Sequence, residues 1–109
     1  MNTIVKFTTV ALLSASLLSA CAWVDLKPQA EKVRILAAQE IGRCRELGRV
    51  SAVTAAKVGF IARGKDTVQE EVYRLARNNA AEMGGDSIVS AGPLIDGEQP
   101  FKVYRCINP

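Results

Sequence analysis

The sequence predicts a small α+β domain in which one helix packs on a small, mostly antiparallel sheet, with the elements in the order (β)-β-α-β-β. Two patterns indicate this fold class: an amphipathic helical stripe in the second half of the chain, and short β-prone segments on both sides of it. One disulfide is expected to pin the sheet. We assign residues 32–109 to this domain, residues 21–31 to a lipidated N-terminus and tether, and residues 1–20 to a signal peptide.

The first 20 residues have the layout of a secretory signal peptide. Lys6 and the amino terminus supply positive charge, residues 10–18 supply an apolar centre, and small residues follow. A membrane-spanning helix needs about 20 predominantly apolar residues, whereas hydroxyl side chains interrupt this run. We therefore expect this segment to direct export and to be removed.

The export segment ends in Leu18-Ser19-Ala20-Cys21, which resembles the lipobox of bacterial lipoprotein precursors. In those precursors diacylglycerol is attached to the thiol, and the chain is then cut before the cysteine. Cys21 is therefore the predicted lipid attachment site and the first residue of the mature chain. Ala20-Cys21-Ala22 also fits the A-x-A pattern of ordinary signal peptidase, and that cleavage would release a soluble periplasmic protein.

The residues after this cysteine bear on localisation. Lipoproteins retained in the inner membrane usually carry aspartate there, whereas Ala22 and Trp23 follow Cys21 here. The resemblance implies an outer-membrane lipoprotein that faces the periplasm, with a surface-exposed orientation left open. The formal net charge, +3 for the full chain and about +2 without Lys6, is too small to indicate nucleic acid or electrostatic capture by a membrane. The expected partners are the membrane, through the lipid on Cys21, and an envelope protein.

The other two cysteines predict a disulfide. Export places Cys44 and Cys106 in an oxidising compartment, where an even pair of cysteines usually forms a bridge. The alternative is a redox or metal site, but the chain has no C-x-x-C motif and no histidine. Two thiolates alone do not complete a tetrahedral metal site. We expect neither a metal nor a cofactor.

The segments before the helix give weaker signals. Residues 22–31 are polar, contain Pro28 and are predicted to form a spacer. Residues 33–36 favour a short strand, although they also fit a helical stripe. Residues 47–58 alternate loosely and are rich in valine, which favours a strand. Residues 59–65 are bounded by glycine and charge and are predicted to be a loop.

Residues 67–83 are the clearest predicted helix. Asp66 or Thr67 can cap it, and Gln69 or Glu70 three residues later would complete a capping box. The spacing of three and four between apolar residues predicts one buried stripe with one polar interruption. The stripe consists of Val68, Val72, Leu75, Ala76, Asn79, Ala80 and Met83.

The segment after the helix predicts a cap and two strands. Gly84-Gly85 fits a left-handed C-terminal cap, and its place at a helix C-terminus argues against a phosphate site. Residues 87–91 are mostly apolar and residues 99–107 alternate, so both favour strands. Asp96-Gly97 is a strong turn signal between them.

Catalysis is not indicated by these residues. Without histidine the commonest general base is absent, and a Ser/His arrangement is impossible. Glu70 with Asp86 is a conceivable carboxylate pair, but the helix dipole explains Glu70 better and the turn explains Asp86 better. We expect a protein that is not an enzyme, with an envelope enzyme as the remaining alternative.

Basic residues gather at two places, around the first predicted disulfide cysteine and around the predicted loop. Anionic lipid headgroups or an acidic partner would suit them, but neighbouring acidic residues favour an ordinary solvated surface. They are Arg43, Arg45, Arg49, Lys57, Arg63 and Lys65.

The succession of motifs resembles a known family. Leu47-Gly48-Arg49-Val50 after a cysteine, the helix end NAAEMGGD at residues 79–86, the strand start Ser87-Ile88-Val89 and the final Val103-Tyr104-Arg105-Cys106 are similar to small outer-membrane lipoproteins of the unknown-function domain family 4156. The similarity covers nearly the whole mature chain. The chain is also similar, at a lower level, to RcsF, an outer-membrane lipoprotein that senses envelope stress. It differs from RcsF in having one cysteine pair instead of two and no long proline-rich tether.

This resemblance implies the fold and narrows the function. The leading expectation is a non-catalytic envelope lipoprotein that acts as an interaction or envelope-integrity module. The alternatives are an RcsF-like stress sensor and a soluble periplasmic protein or envelope enzyme. A fold alone does not define a site.

Overall fold

The computed structural model describes residues 24–109 of the chain. The predicted signal peptide and the predicted lipid attachment site, Cys21, lie outside these residues. No helix in the described range is long and apolar enough to cross a membrane. The elements in chain order are a 3-10 helix Pro28–Ala30, β1 Arg34–Leu36, a second 3-10 helix Ala38–Glu40, β2 Arg45–Val53, β3 Lys57–Val58, β4 Ile61–Ala62, α1 Lys65–Glu82, β5 Ser87–Ser90 and β6 Glu98–Arg105.

Four strands form one sheet in the order β1-β5-β6-β2. β6 pairs antiparallel with both β5 and β2, whereas β1 pairs parallel with β5. The predicted α+β class, the mostly antiparallel sheet and the predicted order of elements are confirmed. The strand predicted from residues 33–36 is β1, and it forms one edge of this sheet.

The segment predicted to be a loop at residues 59–65 contains a strand. β3 and β4 form a separate two-stranded hairpin, in which Val58 lies opposite Ile61. The chain reverses within two residues because Gly59 adopts a φ of 62°, which glycine tolerates at no steric cost. The long predicted strand over residues 47–58 is accordingly divided into β2 and β3.

The helix starts differently from the prediction. α1 begins at Lys65, and its N-cap is Gly64, which makes no side-chain capping bond. The first helical hydrogen bond is donated by the N–H of Val68 to the carbonyl oxygen of Gly64. Asp66 and Thr67 therefore lie inside the first turn, and the predicted capping box does not form.

The helix ends in the predicted glycine cap. Gly84 has a φ of 80°, and its N–H donates to the Ala81 carbonyl at 3.0 Å, while the N–H of Gly85 donates to the Ala80 carbonyl at 2.8 Å. These two bonds define a Schellman motif. Gly85 serves close packing, because a Cβ at this position would overlap the side chain of Val103 on β6. The cap thus brings the end of α1 directly against the sheet.

The hydrophobic core lies between α1 and one face of the sheet. Tyr73 on the helix contacts the Phe101 ring edge-on, with ring centroids 5.9 Å apart. The asparagine buried on the helix is Asn78 rather than the predicted Asn79, Glu71 is buried as well, and Met83, which follows the last helical residue, is 38% exposed. The core cluster consists of Val33, Ala52, Val68, Val72, Ala76, Ala80, Ile88, Phe101 and Val103.

The second face of the sheet is also covered in part. Ser87, Val89 and Tyr104 are buried although they lie on the side away from α1. β1 and β2 occupy opposite edges of the sheet, so the connection at residues 37–44 must pass from one edge to the other. We attribute the burial on this face to that connection.

The predicted spacer at residues 22–31 differs from the structure in its described part. Residues 28–30 form a 3-10 helix, and Ala30 is fully buried. The backbone N–H of Lys27 donates to the side-chain oxygen of Asn78 at 2.9 Å. Residues 25–33, which we name the N-terminal bracket, therefore lie on the last turns of α1 rather than extending away from the domain.

Candidate functional site

The predicted disulfide is present between Cys44 and Cys106. Cys44 immediately precedes β2 and Cys106 immediately follows β6, and Arg45 and Arg105 lie opposite each other on these two strands. The bridge therefore joins the ends of two neighbouring strands and closes a long loop of the chain. Such a bridge stabilises mainly by restricting the unfolded chain.

Asp86, which follows the glycine cap, holds the end of the chain beside this disulfide. Its carboxylate accepts the N–H of Cys106 at 2.8 Å, the N–H of Ile107 at 2.9 Å and the hydroxyl of Ser87 at 3.1 Å. Burial opposes ionisation of Asp86, but these bonds and the charge of Arg105 outweigh it and lower the pKa of Asp86. The Asp86 carboxylate therefore holds main-chain N–H groups near the end of the chain in place.

Glu70 and Asp86, the conceivable carboxylate pair, bind different groups. Glu70 accepts a hydrogen bond from Arg74, four residues along the helix surface, at 2.9 Å. Asp86 accepts hydrogen bonds from the main-chain N–H groups of Cys106 and Ile107. In residues 24–109 no group of three or more histidine, cysteine, aspartate or glutamate side chains could hold a metal ion.

A buried ion pair holds the β3–β4 hairpin to the helix. Arg63 follows β4, and its guanidinium donates to both carboxylate oxygens of Glu71 on α1, Nη2 to Oε1 at 2.5 Å and Nη1 to Oε2 at 2.9 Å. The two side chains are only 12% and 7% exposed. The hydroxyl of Thr54, just after β2, donates to the same Oε2 at 2.8 Å. We name Thr54, Arg63 and Glu71 the hairpin clamp.

The clamp keeps Glu71 ionised. The bonds from Arg63 are the main reason that the pKa of Glu71 lies below its usual range, burial opposes this shift, and the bond from Thr54 adds to it. Arg63 also donates to the carbonyl oxygen of Ala55 at 2.9 Å. The clamp thus connects three segments, namely the end of β2, the end of the hairpin and the second turn of α1.

The hairpin presents apolar side chains to solvent. Phe60 at its tip is fully exposed, at 106% of the reference area, and Val58 and Ile61 beside it are more than half exposed. We name these three residues the hairpin surface. Isolated exposed apolar residues are ordinary on a protein surface, whereas these three lie next to one another on one hairpin.

The neighbouring loop extends this apolar end of the domain. Ile95 pairs with Glu98 across the turn at Asp96 and Gly97, and Glu98 lies opposite Val53 of β2. Ile95 and Val53 are both more than half exposed. A groove of about 230 Å³ runs between this turn and the hairpin. Its lining residues are Ala56, Lys57, Ala62, Arg63, Lys65, Val68, Leu94, Asp96 and Gly97.

The sequence reasoning missed the hairpin and its clamp. The sequence predicts Arg63 to belong to a solvated basic surface, yet its side chain is only 12% exposed and pairs with Glu71. One signal was available, because Glu71 lies three residues after Val68 and therefore falls on the apolar face of α1. A charged side chain on a buried stripe needs a partner of opposite charge. The predicted loop at residues 59–65, just before the helix, contains such a residue in Arg63. The other predicted basic residues are exposed.

Comparison with known proteins gives one match. A family model described as a domain of unknown function, DUF4156, matches residues 24–106, which is most of the chain and includes both disulfide cysteines. No curated protein matches the chain. No solved structure matches it either, so the lower similarity to RcsF stays a prediction.

Removing the disulfide should lower the stability of the fold. Cys106→Ser should reduce the free energy of unfolding by about 4 kcal/mol, the chain-entropy value for a loop of this length. Urea denaturation followed by circular dichroism measures the change. Reduction of the wild-type protein is the matched control and should cause a similar loss. An unchanged midpoint in both samples would contradict a stabilising bridge.

Acid should weaken the hairpin clamp. Because the folded pKa of Glu71 lies below its unfolded value, its stabilisation is present at neutral pH and is lost as pH falls through the folded pKa. Glu71→Gln should therefore be less stable than wild type at pH 7, and its stability should depend less on pH between pH 7 and about pH 3. Urea midpoints across this range test it.

Glu70→Gln is the matched control for this experiment, since Glu70 is two-thirds exposed and makes only a surface ion pair. It should follow the wild-type pH profile. The same pH slope in Glu71→Gln and wild type would show that the clamp does not contribute to acid sensitivity.

Proposed function

The chain belongs to the DUF4156 family of domains of unknown function, and we propose from its own residues that it is a non-catalytic lipoprotein of the cell envelope. In this proposal a lipid on Cys21 anchors the protein in the outer membrane, the domain faces the periplasm, and the hairpin surface binds another envelope protein. The observation that carries the interaction role is the full exposure of Phe60 on a hairpin that a buried ion pair holds in place.

The anchor is supported by the residues before the domain. Leu18, Ala20 and Cys21 occupy the positions of a lipobox at the end of a short apolar run. Cys21 is also the one cysteine of the three that has no place in the disulfide between Cys44 and Cys106. A thioether-linked lipid with several acyl chains would provide a firm anchor, because each buried methylene contributes about 0.8 kcal/mol.

The hairpin surface has the features of a binding epitope. Exposed aromatic side chains at rigid positions contribute most to protein interfaces, because little side-chain entropy is lost when a partner covers them. The clamp fixes the hairpin through the buried pair of Arg63 and Glu71, so the tip is organised before binding. The groove beside it carries two exposed lysines against one aspartate. A partner with an apolar pocket for Phe60 and an acidic rim would fit this end.

Metabolic labelling with palmitate tests the anchor. The wild-type protein should incorporate the label and sediment with the outer membrane, and Cys21→Ser should lose both properties. Cys44→Ser is the matched control, because it removes a cysteine from the disulfide and should leave the label in place. Label retained by Cys21→Ser would show that the attachment site is a different residue.

Photo-crosslinking in cells tests the hairpin surface. A photoreactive amino acid in place of Phe60 should capture one dominant envelope protein, and Phe60→Ser should abolish co-purification of that protein. Because Phe60 is fully exposed, this substitution should change the free energy of unfolding by less than about 0.5 kcal/mol. The same reactive group at Ile107, which is exposed beside the disulfide, is the positional control. Equal capture from both positions would contradict a binding role for the hairpin.

A further inference from the structure

The N-terminal bracket is held to α1 by the side chain of Asn78. This amide accepts the N–H of Lys27 at 2.9 Å and donates through Nδ2 to the carbonyl oxygen of Asp25 at 2.9 Å. Asn78 is only 8% exposed, and both Oδ1 and Nδ2 of its side chain form hydrogen bonds. One buried side chain therefore fixes two main-chain positions at the start of the described chain.

Neighbouring contacts hold the rest of the bracket. Arg77 donates through Nε to the carbonyl oxygen of Val33 at 2.9 Å and through Nη2 to that of Glu31 at 3.0 Å. Ala30 and Val33 are buried, and Val33 belongs to the core cluster. The bracket is consequently part of the folded domain, and the chain leaves it at Asp25 beside the last turns of the helix.

This exit point limits how far the domain can lie from a lipid on Cys21, and the limit rests on the proposed lipid anchor. Four residue steps separate Cys21 from Asp25, which span at most about 14 Å when fully extended. A spacer over residues 22–31 would have reached roughly 35 Å. The end of the domain at the bracket is therefore kept close to the headgroups.

The surface at this end carries arginines that suit phosphate-bearing headgroups. Arg45 and Arg105 lie directly opposite each other on β2 and β6, and Arg43 precedes the disulfide. All three are exposed, and none of them forms an ion pair within residues 24–109. Like charges opposite each other in a sheet repel; the nearby carboxylate of Asp86 offsets part of the charge of Arg105, and an anionic surface would relieve the remaining repulsion. Exposed Ile107 lies beside them; we name these four residues the anchor end.

The anchor end and the bracket lie at the same end of α1. Asp86 follows the helix cap and accepts the N–H of Arg34 at the start of β1, just after the bracket. The same residue accepts the N–H of Cys106, which directly follows Arg105. Asp86 thus connects the strand that follows the bracket with the strand end that carries the arginines.

The hairpin surface lies at the opposite end of the helix. Asn78 is 14 residues after Gly64, which corresponds to about 20 Å along the helix axis. We propose that the N-terminal bracket orients the domain on the membrane, with the anchor end against phosphate-bearing lipid headgroups and the hairpin surface directed away from the bilayer. The bilayer is the occupant of the anchor end because the chain leaves the domain there toward its lipid.

Site-specific photo-crosslinking to lipid tests this orientation. The full-length, lipidated protein is reconstituted into vesicles of phosphatidylethanolamine and phosphatidylglycerol, with a photoreactive residue at position 107 or at position 60. Position 107 should crosslink to phospholipid at least about fivefold more than position 60. Stronger lipid crosslinking from position 60 would overturn the orientation and would assign the hairpin surface to the bilayer.

Two variants test the bracket itself. Asn78→Ala should lower lipid crosslinking at position 107 several-fold. Insertion of ten glycine and serine residues after Trp23 should do the same without altering any residue of the folded domain, so a folding defect in Asn78→Ala cannot account for the result. Unchanged crosslinking in the insertion variant would overturn the role of the short connection.

Palmitate label in the same samples separates the two proposals. Labelled protein that crosslinks lipid equally from positions 60 and 107 would overturn the orientation and leave the anchor intact. Wild-type protein without label would overturn the anchor and the orientation with it.

Discussion

Burial of one face of α1 against the sheet is the constraint on which the other features depend. Small apolar residues at Ala76 and Ala80 let the helix approach the strands closely, and the glycine cap lets its end meet β6. Two polar side chains, Glu71 and Asn78, are buried on the helix as well. They are seven residues apart and therefore lie on nearly the same side, two turns from each other.

Each of these buried polar residues holds a segment that has little core of its own. Glu71 holds the hairpin through Arg63, and Asn78 holds the N-terminal bracket through main-chain groups. A buried ion pair adds little net stability over an apolar pair, since desolvation offsets much of the attraction, but removal of one partner leaves a charge unpaired. The clamp is thus best understood as a device that fixes position.

The sequence predicted the features that depend on local patterns. Apolar spacing located α1, paired glycines located its end, and an even pair of cysteines in a chain predicted to be exported located the bridge between Cys44 and Cys106. The features that it missed depend on distant partners. Asn78 forms hydrogen bonds with Lys27 and Asp25, which precede it by 51 and 53 positions. The polarity of residues 22–31 alone does not indicate that their main chain binds a side chain of the helix. The start of α1 differs from the prediction because capping preferences are weak: the helix begins at Lys65, after a glycine N-cap that makes no side-chain bond.

The two ends of the helix differ in chemistry, and this difference follows from the topology. β2 and β6 are neighbours whose ends are joined by the disulfide, so Arg45 and Arg105 are brought there in register. The opposite end is formed by the hairpin and the turn before β6, whose exposed residues are largely apolar. A helix of 18 residues keeps these two ends of the domain apart. The length of this one helix therefore sets the distance between the two ends.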